Sequence, residues 1–291
     1  MIAIAGPNLP LELLEATGRF AGAVPFDPQR ETPVASQWVE NKFLPWAHPV
    51  IEAWAAGEYD HLDQVLFSRA DDTSQRLYYY ACELQRRGLI AGPEPMILDI
   101  AKIPRELSRD RTIMKLRELG ERLGVGEDAL EAGIAKANAK RAEPVADDPR
   151  PVCVLSGTAA PDHRLRDAIG ATGFATLGQT VVEEWLSLGE HVEQGTGDPF
   201  AALGRKLHHA PSSRSMADRG EMLTRVIKEH AAKAVILWRV EEDEDQGWHL
   251  PAERAAIDAA GIPGLVLTRR DWLARDGAID EITEFLKEVQ G

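Results

Sequence analysis

The sequence predicts an α/β protein of two lobes with mostly parallel sheets, linked by long helices. Three observations carry this expectation. Short apolar runs alternate with helix-period segments along most of the chain, as βαβ units require. Residues 105–142 break that rhythm with two amphipathic helices and no strand. A segment rich in proline and acid, Glu143 to Pro151, then separates the halves. The lobes are placed at 1–145, including the bridging helices, and at 150–291. Each resembles a Rossmann or flavodoxin-like unit.

In the first lobe, Leu11 to Thr17 reads as a helix stopped by Gly18, followed by a strand near Ala21 to Pro25. Trp46, Val50, Ile51 and Trp54 recur at helical spacing between Pro45 and Gly57, and their tryptophans are expected in the core. Val65 to Phe67 is a buried strand that runs through a polar turn into a helix ending at Arg87-Gly88. Asp72 or Thr73 is expected to cap that helix. Met96 to Ile100 is the next strand. In the bridge, Ile113, Leu116, Leu119 and Leu123 form one stripe, Gly124 to Gly126 interrupts it, and Leu130, Ile134 and Ala137 continue on a second helix.

The second lobe opens with a strand at 151–155 and the turn Ser156-Gly157-Thr158. A helix from Asp162 to Ile169, a strand from Phe174 to Leu177 and the turn Gly178-Gln179-Thr180 follow. Residues 187–199 read as a loop and Met216 to His230 as a helix. Ala234 to Trp238 is an apolar strand, followed by a helix from Pro251 to Ala260, a strand from Gly264 to Thr268 and a last helix from Ala278 to Val289.

Composition narrows the function classes. The chain has 291 residues, 44% hydrophobic and 27% charged, with a net charge of −14. That charge disfavours a nucleic-acid partner, since phosphate binding needs clustered Lys and Arg. No apolar run approaches a membrane span, and Met1 to Ile4 lacks the charged start of a signal peptide, so a cytoplasmic protein is expected. The two cysteines, Cys82 and Cys153, fall in different elements and are read as small buried hydrophobes, with no metal site expected.

Three stretches carry candidate chemistry. The turn after the Val65 strand holds Ser68, Arg69, Asp71, Asp72, Thr73 and Ser74, at the strand end where open α/β sheets bind ligands. The acidic run Glu241 to Asp245 follows the Ala234 strand; it suits either a hard cation or, more simply, a solvated loop. His208 to Ser215, with Ser212, Ser213 and Arg214 before a helix, suits either an anion grip or a helix cap with exposed histidines. Neither a G-x-G-x-x-G nor a phosphate-binding loop occurs, and G-x-S-x-G is absent.

The order of these pieces resembles the 2-hydroxyacyl-CoA dehydratase and benzoyl-CoA reductase family. In the first lobe the similar pieces are Leu44-Pro45-Trp46, Gly57 to Asp63, and Asp71-Asp72-Thr73 with Arg76-Leu77-Tyr78. In the second they are Gly157 through Asp162, Gly178-Gln179-Thr180, Ala210-Pro211-Ser212, Ala234 to Gly247 and Ala260 to Pro263. The resemblance implies paired subunits of two Rossmann-like lobes, an acyl-CoA between the lobes, and an iron–sulfur cluster held by cysteines at strand ends. This sequence departs from that pattern at the thiolates. The family's cysteine positions fall at Asp71, near Val182, at Ser212 and at Asp243.

A cluster needs thiolates. No cofactor is therefore expected in this chain, and a 4Fe-4S cluster is left open for a partner subunit. Three functions remain open. The first is a cluster-less subunit that pairs with a homologous, cysteine-bearing chain in an acyl-CoA-processing complex. The second is a homo-oligomeric acyl-CoA hydratase or dehydratase, in which Asp71 and Asp72 act as acid–base groups beside Ser68, Arg69, Thr73, Thr180, Ser212, Ser213, Arg214 and Asp243 as substrate-binding residues. The third is a non-catalytic binding or regulatory homologue.

Overall fold

The computed structural model describes residues 1–144, 148–211 and 218–290. Its eight strands form two four-stranded sheets, each wholly parallel. The first contains β1 (Ile2–Ala5), β2 (Phe20–Ala23), β3 (Gln64–Ser68) and β4 (Glu94–Leu98), in the order β2-β1-β3-β4. The second contains β5 (Val152–Gly157), β6 (Ala175–Leu177), β7 (Ala234–Val240) and β8 (Gly264–Arg270), in the order β6-β5-β7-β8. The two sheets are wound alike, so each has a crevice where its connections diverge, beyond β1 and β3 or beyond β5 and β7.

Helices α1 (Leu11–Ala16), α2 (Ala47–Ala55) and α3 (Asp72–Arg86) connect the first sheet. The two bridging helices are α4 (Glu106–Leu123) and α5 (Glu127–Arg141), and Gly124 ends α4 in the left-handed conformation, with φ +74°. The second lobe carries α6 (Arg164–Ala171), α7 (Val181–Trp185), α8 (Pro199–His209), α9 (Arg219–Glu229), α10 (Leu250–Ala260) and α11 (Ala278–Gln290). The bridge is tight. α5 packs on α1, and α4 and α5 both pack on α8. A side chain at Gly133 would strike the Glu12 carbonyl, and one at Gly204 would strike Ile113.

β1, α7 and α8 are absent from the sequence expectation. The chain opens with β1, whose four residues are all buried and which sits inside the first sheet. It is too short and too near the terminus to show a flanked pattern. Pro199–His209 forms α8 directly after the expected loop. Asp198 caps it by accepting from the Ala201 amide at 2.9 Å, and Phe200, Leu203 and Leu207 form its buried face. His208 and His209 consequently sit at a helix C-terminal end and not before a helix start, and His208 is buried. Ser212, Ser213, Arg214 and residues 145–147 lie outside the described residues.

The lobes share a continuous core. Trp54 stacks with Phe67 inside the first lobe. Trp46 meets Trp185 edge-on at 4.8 Å between ring centres, and Phe26 lies 5.9 Å from Trp185 and 6.5 Å from Trp272. These aromatic contacts join the lobes directly beneath the site.

Candidate functional site

The site forms where the carboxyl ends of β3, β5 and β7 face one another. β3 delivers Asp71 in extended conformation (φ −113°, ψ 132°), and its Oδ1 accepts from the Ser74 amide at 2.5 Å. Asp71 is therefore the cap of α3, one residue earlier than Asp72. Ser74 locks the turn: its hydroxyl accepts from the Ser68 amide at 2.9 Å and donates to the Ala5 carbonyl at the end of β1. Asp72 sits exposed in the first turn, paired with Lys102 at 2.8 Å. The Thr73 hydroxyl accepts from the Leu44 amide at 3.1 Å, so it anchors the 40s loop instead of capping the helix.

The second lobe answers with three devices. Thr180 opens α7 with a capping box: its hydroxyl accepts from the Glu183 amide, and the Glu183 carboxylate accepts from the Thr180 amide at 2.9 Å. Arg166 grips the same Glu183 carboxylate, with Nη2 2.6 Å from Oε2. With α7 held in this way, Glu184 faces the space between the lobes. Beyond β7, Asp243 accepts a 2.5 Å hydrogen bond from the Thr158 hydroxyl, which itself accepts from the Val240 amide at 3.3 Å. Gly157 precedes Thr158 at φ +120°, and any side chain there would strike the Trp238 carbonyl. Asp218 caps α9 and so sets Arg219 at its first turn.

These elements enclose a cavity of about 150 Å³. Asp71 enters from the first lobe, and Glu184, Asp243 and Arg219 from the second, over a wall of Trp46, Trp185 and Trp272. Behind them Arg239 and Glu253 form a buried ion pair with contacts of 2.6 and 2.7 Å. The cavity adjoins a larger cleft of about 750 Å³, with Leu44, Asp71, Arg219, Asp243 and Gln246 lining both.

The electrostatics are unbalanced. Burial pushes the Asp71 carboxyl up to about 6; the charges of Asp243 and Asp72 add to this, against the Ser74 amide and Lys102. Burial pushes Glu184 up to about 7, Asp71 and Asp243 reinforce it, and Arg219 opposes. Burial also depresses the Arg219 guanidinium below its ordinary value, with Arg239 adding to the effect. Among the described residues, Arg219 Nε is buried and has no hydrogen-bond partner. The cavity thus holds two carboxyls able to exchange protons near neutrality beside the Arg219 guanidinium.

Of the residues read from the sequence, Asp71 and Asp243 meet in the cavity. Asp72 and Thr73 line the outer cleft only. Arg69 pairs with Asp99 away from both, Ser68 is fully buried with its hydroxyl accepting from the Ala70 amide, and Thr180 acts as the α7 cap. Glu184 and Arg219 were not legible as site residues, although both follow helix caps, Thr180 and Asp218, that are visible in the sequence. The acidic run divides: Glu241 pairs with Arg269 at the surface, whereas Thr158 draws Asp243 inward.

The donor set does not fit an iron–sulfur cluster, which thiolates hold. Cys82 is half-buried on α3 and Cys153 is buried within β5, its thiol pushed up to about 12 by burial. Neither lines the cavity. Among the described residues, no group of three His, Cys, Asp or Glu side chains is arranged to hold a metal ion, and no helix is long and apolar enough to cross a membrane.

No family model matches this chain, and no curated protein matches it. Among solved structures, a crystal structure of ZnuA is similar over 99% of this chain and 97% of that one, at 12% identity and a TM-score of 0.25. A score that low sets up no correspondence between residues of the two chains.

Proposed function

We propose that the chain is an acyl-thioester lyase, a hydratase or dehydratase that works by acid–base catalysis between its lobes. One observation carries the proposal: carboxyls from opposite lobes, Asp71 and Glu184, share a cavity and are held near 6 and 7. The thioester, with coenzyme A as its carrier, comes from the family resemblance. A thioester acidifies the hydrogen on its α-carbon, so a carboxylate suffices to remove a proton there. The fitting substrate is a 3-hydroxyacyl thioester, whose hydroxyl is β to the carbonyl. In a 2-hydroxyacyl thioester the hydrogen to be lost is on the β-carbon, which the thioester does not acidify.

In the dehydration direction, Asp71 takes the α-hydrogen as a proton. The electron pair left behind forms the carbon–carbon double bond, the β-carbon–oxygen bond breaks, and the hydroxyl leaves as water with the proton from Glu184. The Arg219 guanidinium donates to the thioester oxygen as negative charge collects on it. Hydration runs the same steps backwards. The carrier would lie in the outer cleft. Its first-lobe wall carries Lys42, Arg76 and Lys102 for phosphate contacts, facing Glu241, Glu242 and Glu244 on the other.

The test is hydration of a short 2-enoyl-CoA by the purified chain, with Asp71→Asn and Glu184→Gln beside it. Each variant is expected to lose about 10²- to 10⁴-fold in kcat/KM, the range of general acid–base catalysis. Turnover unchanged in both variants, or no turnover of any hydroxyacyl or enoyl thioester by the parent, overturns the proposal.

A second reading, the subunit of a larger complex, is supported by Leu107 and Met114. They lie seven residues apart on one face of α4 and are 84% and 46% exposed, with exposed Ile103 just before the helix. Recovery of a stoichiometric, cysteine-bearing homologue with the chain from its native host favours that reading, whereas self-association alone favours the first.

A further inference from the structure

A third hollow, of about 410 Å³, opens from the catalytic cavity along the second sheet. The two share Ser156, Gly157, Thr158, Glu184, Arg219 and Glu253. The hollow exists because of how the sheet is covered. α9 packs on β5 and on α10, while α6 and α11 pack together elsewhere on the lobe. The edge strand β6 is three residues long and none of them is fully buried. Its end, Leu177, therefore faces open space beside α9.

The lining changes character along its length. At the cavity end it is polar, with Ser156, Thr158, Glu184 and Arg219. Away from it stand Leu155, Leu177, Met222, Leu223 and Val226. All of these but Leu223 are only partly buried, so apolar side chains are left facing solvent. Among the described residues the only basic side chains in the lining are Arg219 and His230. Arg219 already faces Glu184, Glu253 and Asp243, and His230 lies at the exposed end of α9.

We infer that this hollow is the acyl pocket and selects an uncharged, hydrophobic acyl chain of medium length over a short or a dicarboxylic one. The inference rests on the thioester reading of the cavity. The polar junction holds the thioester and the reacting carbons; the chain beyond them runs between the end of β6 and α9. A volume of this size falls within the ~300–1,000 Å³ typical of small-molecule sites. Each further methylene buried there tightens binding roughly fourfold, the equivalent of ~0.8 kcal/mol. A terminal carboxylate would be desolvated beside Leu177, Met222 and Val226, with Arg219 already engaged and only the His230 ring at the exposed end of α9, and its binding is expected to fall below that of the uncharged chain of equal length.

The test is calorimetric titration of the full chain with butyryl-, hexanoyl-, octanoyl- and glutaryl-CoA, with free coenzyme A as reference. The expected order is octanoyl tightest, then hexanoyl, then butyryl, with glutaryl weakest. Met222→Trp, which fills the hollow from α9, is expected to reduce the octanoyl-to-butyryl affinity ratio at least fivefold. The wild-type series needs no variant to fold. Ester binding that is flat with chain length, or that favours glutaryl-CoA, overturns the acyl pocket and leaves the thioester reading standing. If no ester binds more tightly than free coenzyme A, both fall.

Discussion

Two groups of buried charge lie between the lobes, and they are built on opposite principles. In one, Glu12 of α1 is fully buried and pairs with Arg141 of α5 and with Lys206 of α8, the latter at 3.3 Å. Arg141 also donates to the Leu188 carbonyl at 2.7 Å and to Asn138 Oδ1 at 2.7 Å. Every cation there has a fixed acceptor, and the group ties the first lobe to the bridge and to the second lobe. In the other, Asp71, Glu184 and Asp243 outnumber Arg219, and both titrating carboxyls are raised. Buried cations tied to fixed acceptors hold a position. Unmatched buried charge stores a preference for a proton or a ligand, which suits catalysis and not cohesion.

The contrast can be broken from either side. The largest effect is expected in the unmatched group, where Asp71→Asn and Glu184→Gln remove turnover while leaving the fold intact. Asn retains the α3 cap, because its side-chain oxygen still accepts from the Ser74 amide. In the Glu12 group the outcome reverses. Glu12→Ala leaves Arg141 and Lys206 buried without their carboxylate and should cost about 3–5 kcal/mol in urea unfolding.

The pH dependence of stability separates the groups further. Folding raises the affinity of Asp71 and Glu184 for protons relative to the unfolded chain, where carboxyls titrate near ~4. The folded state therefore binds more protons over the interval up to about 6 for Asp71 and about 7 for Glu184. Their contribution is fully present below the unfolded value and declines as pH rises through that interval. Urea midpoints at pH 5 and pH 8 should thus show the double variant D71N/E184Q gaining on the parent at the higher pH. A gap that does not change between the two would show that neither carboxyl is raised.

Smaller effects sharpen the geometry. Thr158→Val removes the hydroxyl that holds Asp243 inward. About 1–3 kcal/mol of stability should go with it, since a partly buried acceptor loses its donor. Asp72→Asn removes an exposed pair with Lys102, and unfolding should report less than about 1 kcal/mol.

The legibility of this protein in its sequence follows the range of the signals. Both sheets, the bridge at 105–142 and most helices showed, because apolar period and glycine stops are local features. β1 did not show, because its own pattern is four residues long and all four are buried, leaving no alternation to read. The strand-end turn with Asp71 is legible as a candidate ligand position. Its partner was not, since Glu184 is one glutamate among many until a capping box and a crossing of the lobes bring it opposite Asp71. The sequence pairs Asp71 with its neighbour Asp72, but Asp71 is the extended cap and Asp72 the first residue of α3; both line the outer cleft and only Asp71 lines the inner cavity.

The most direct test of the acid–base account is the pH dependence of kcat/KM for enoyl-thioester hydration, measured for the parent chain and for Glu184→Gln. The account predicts a bell for the parent, with limbs near 6 and 7, and loss of one limb in the variant. A parent profile that is flat across this range, or one that Glu184→Gln leaves unchanged in shape, would contradict it.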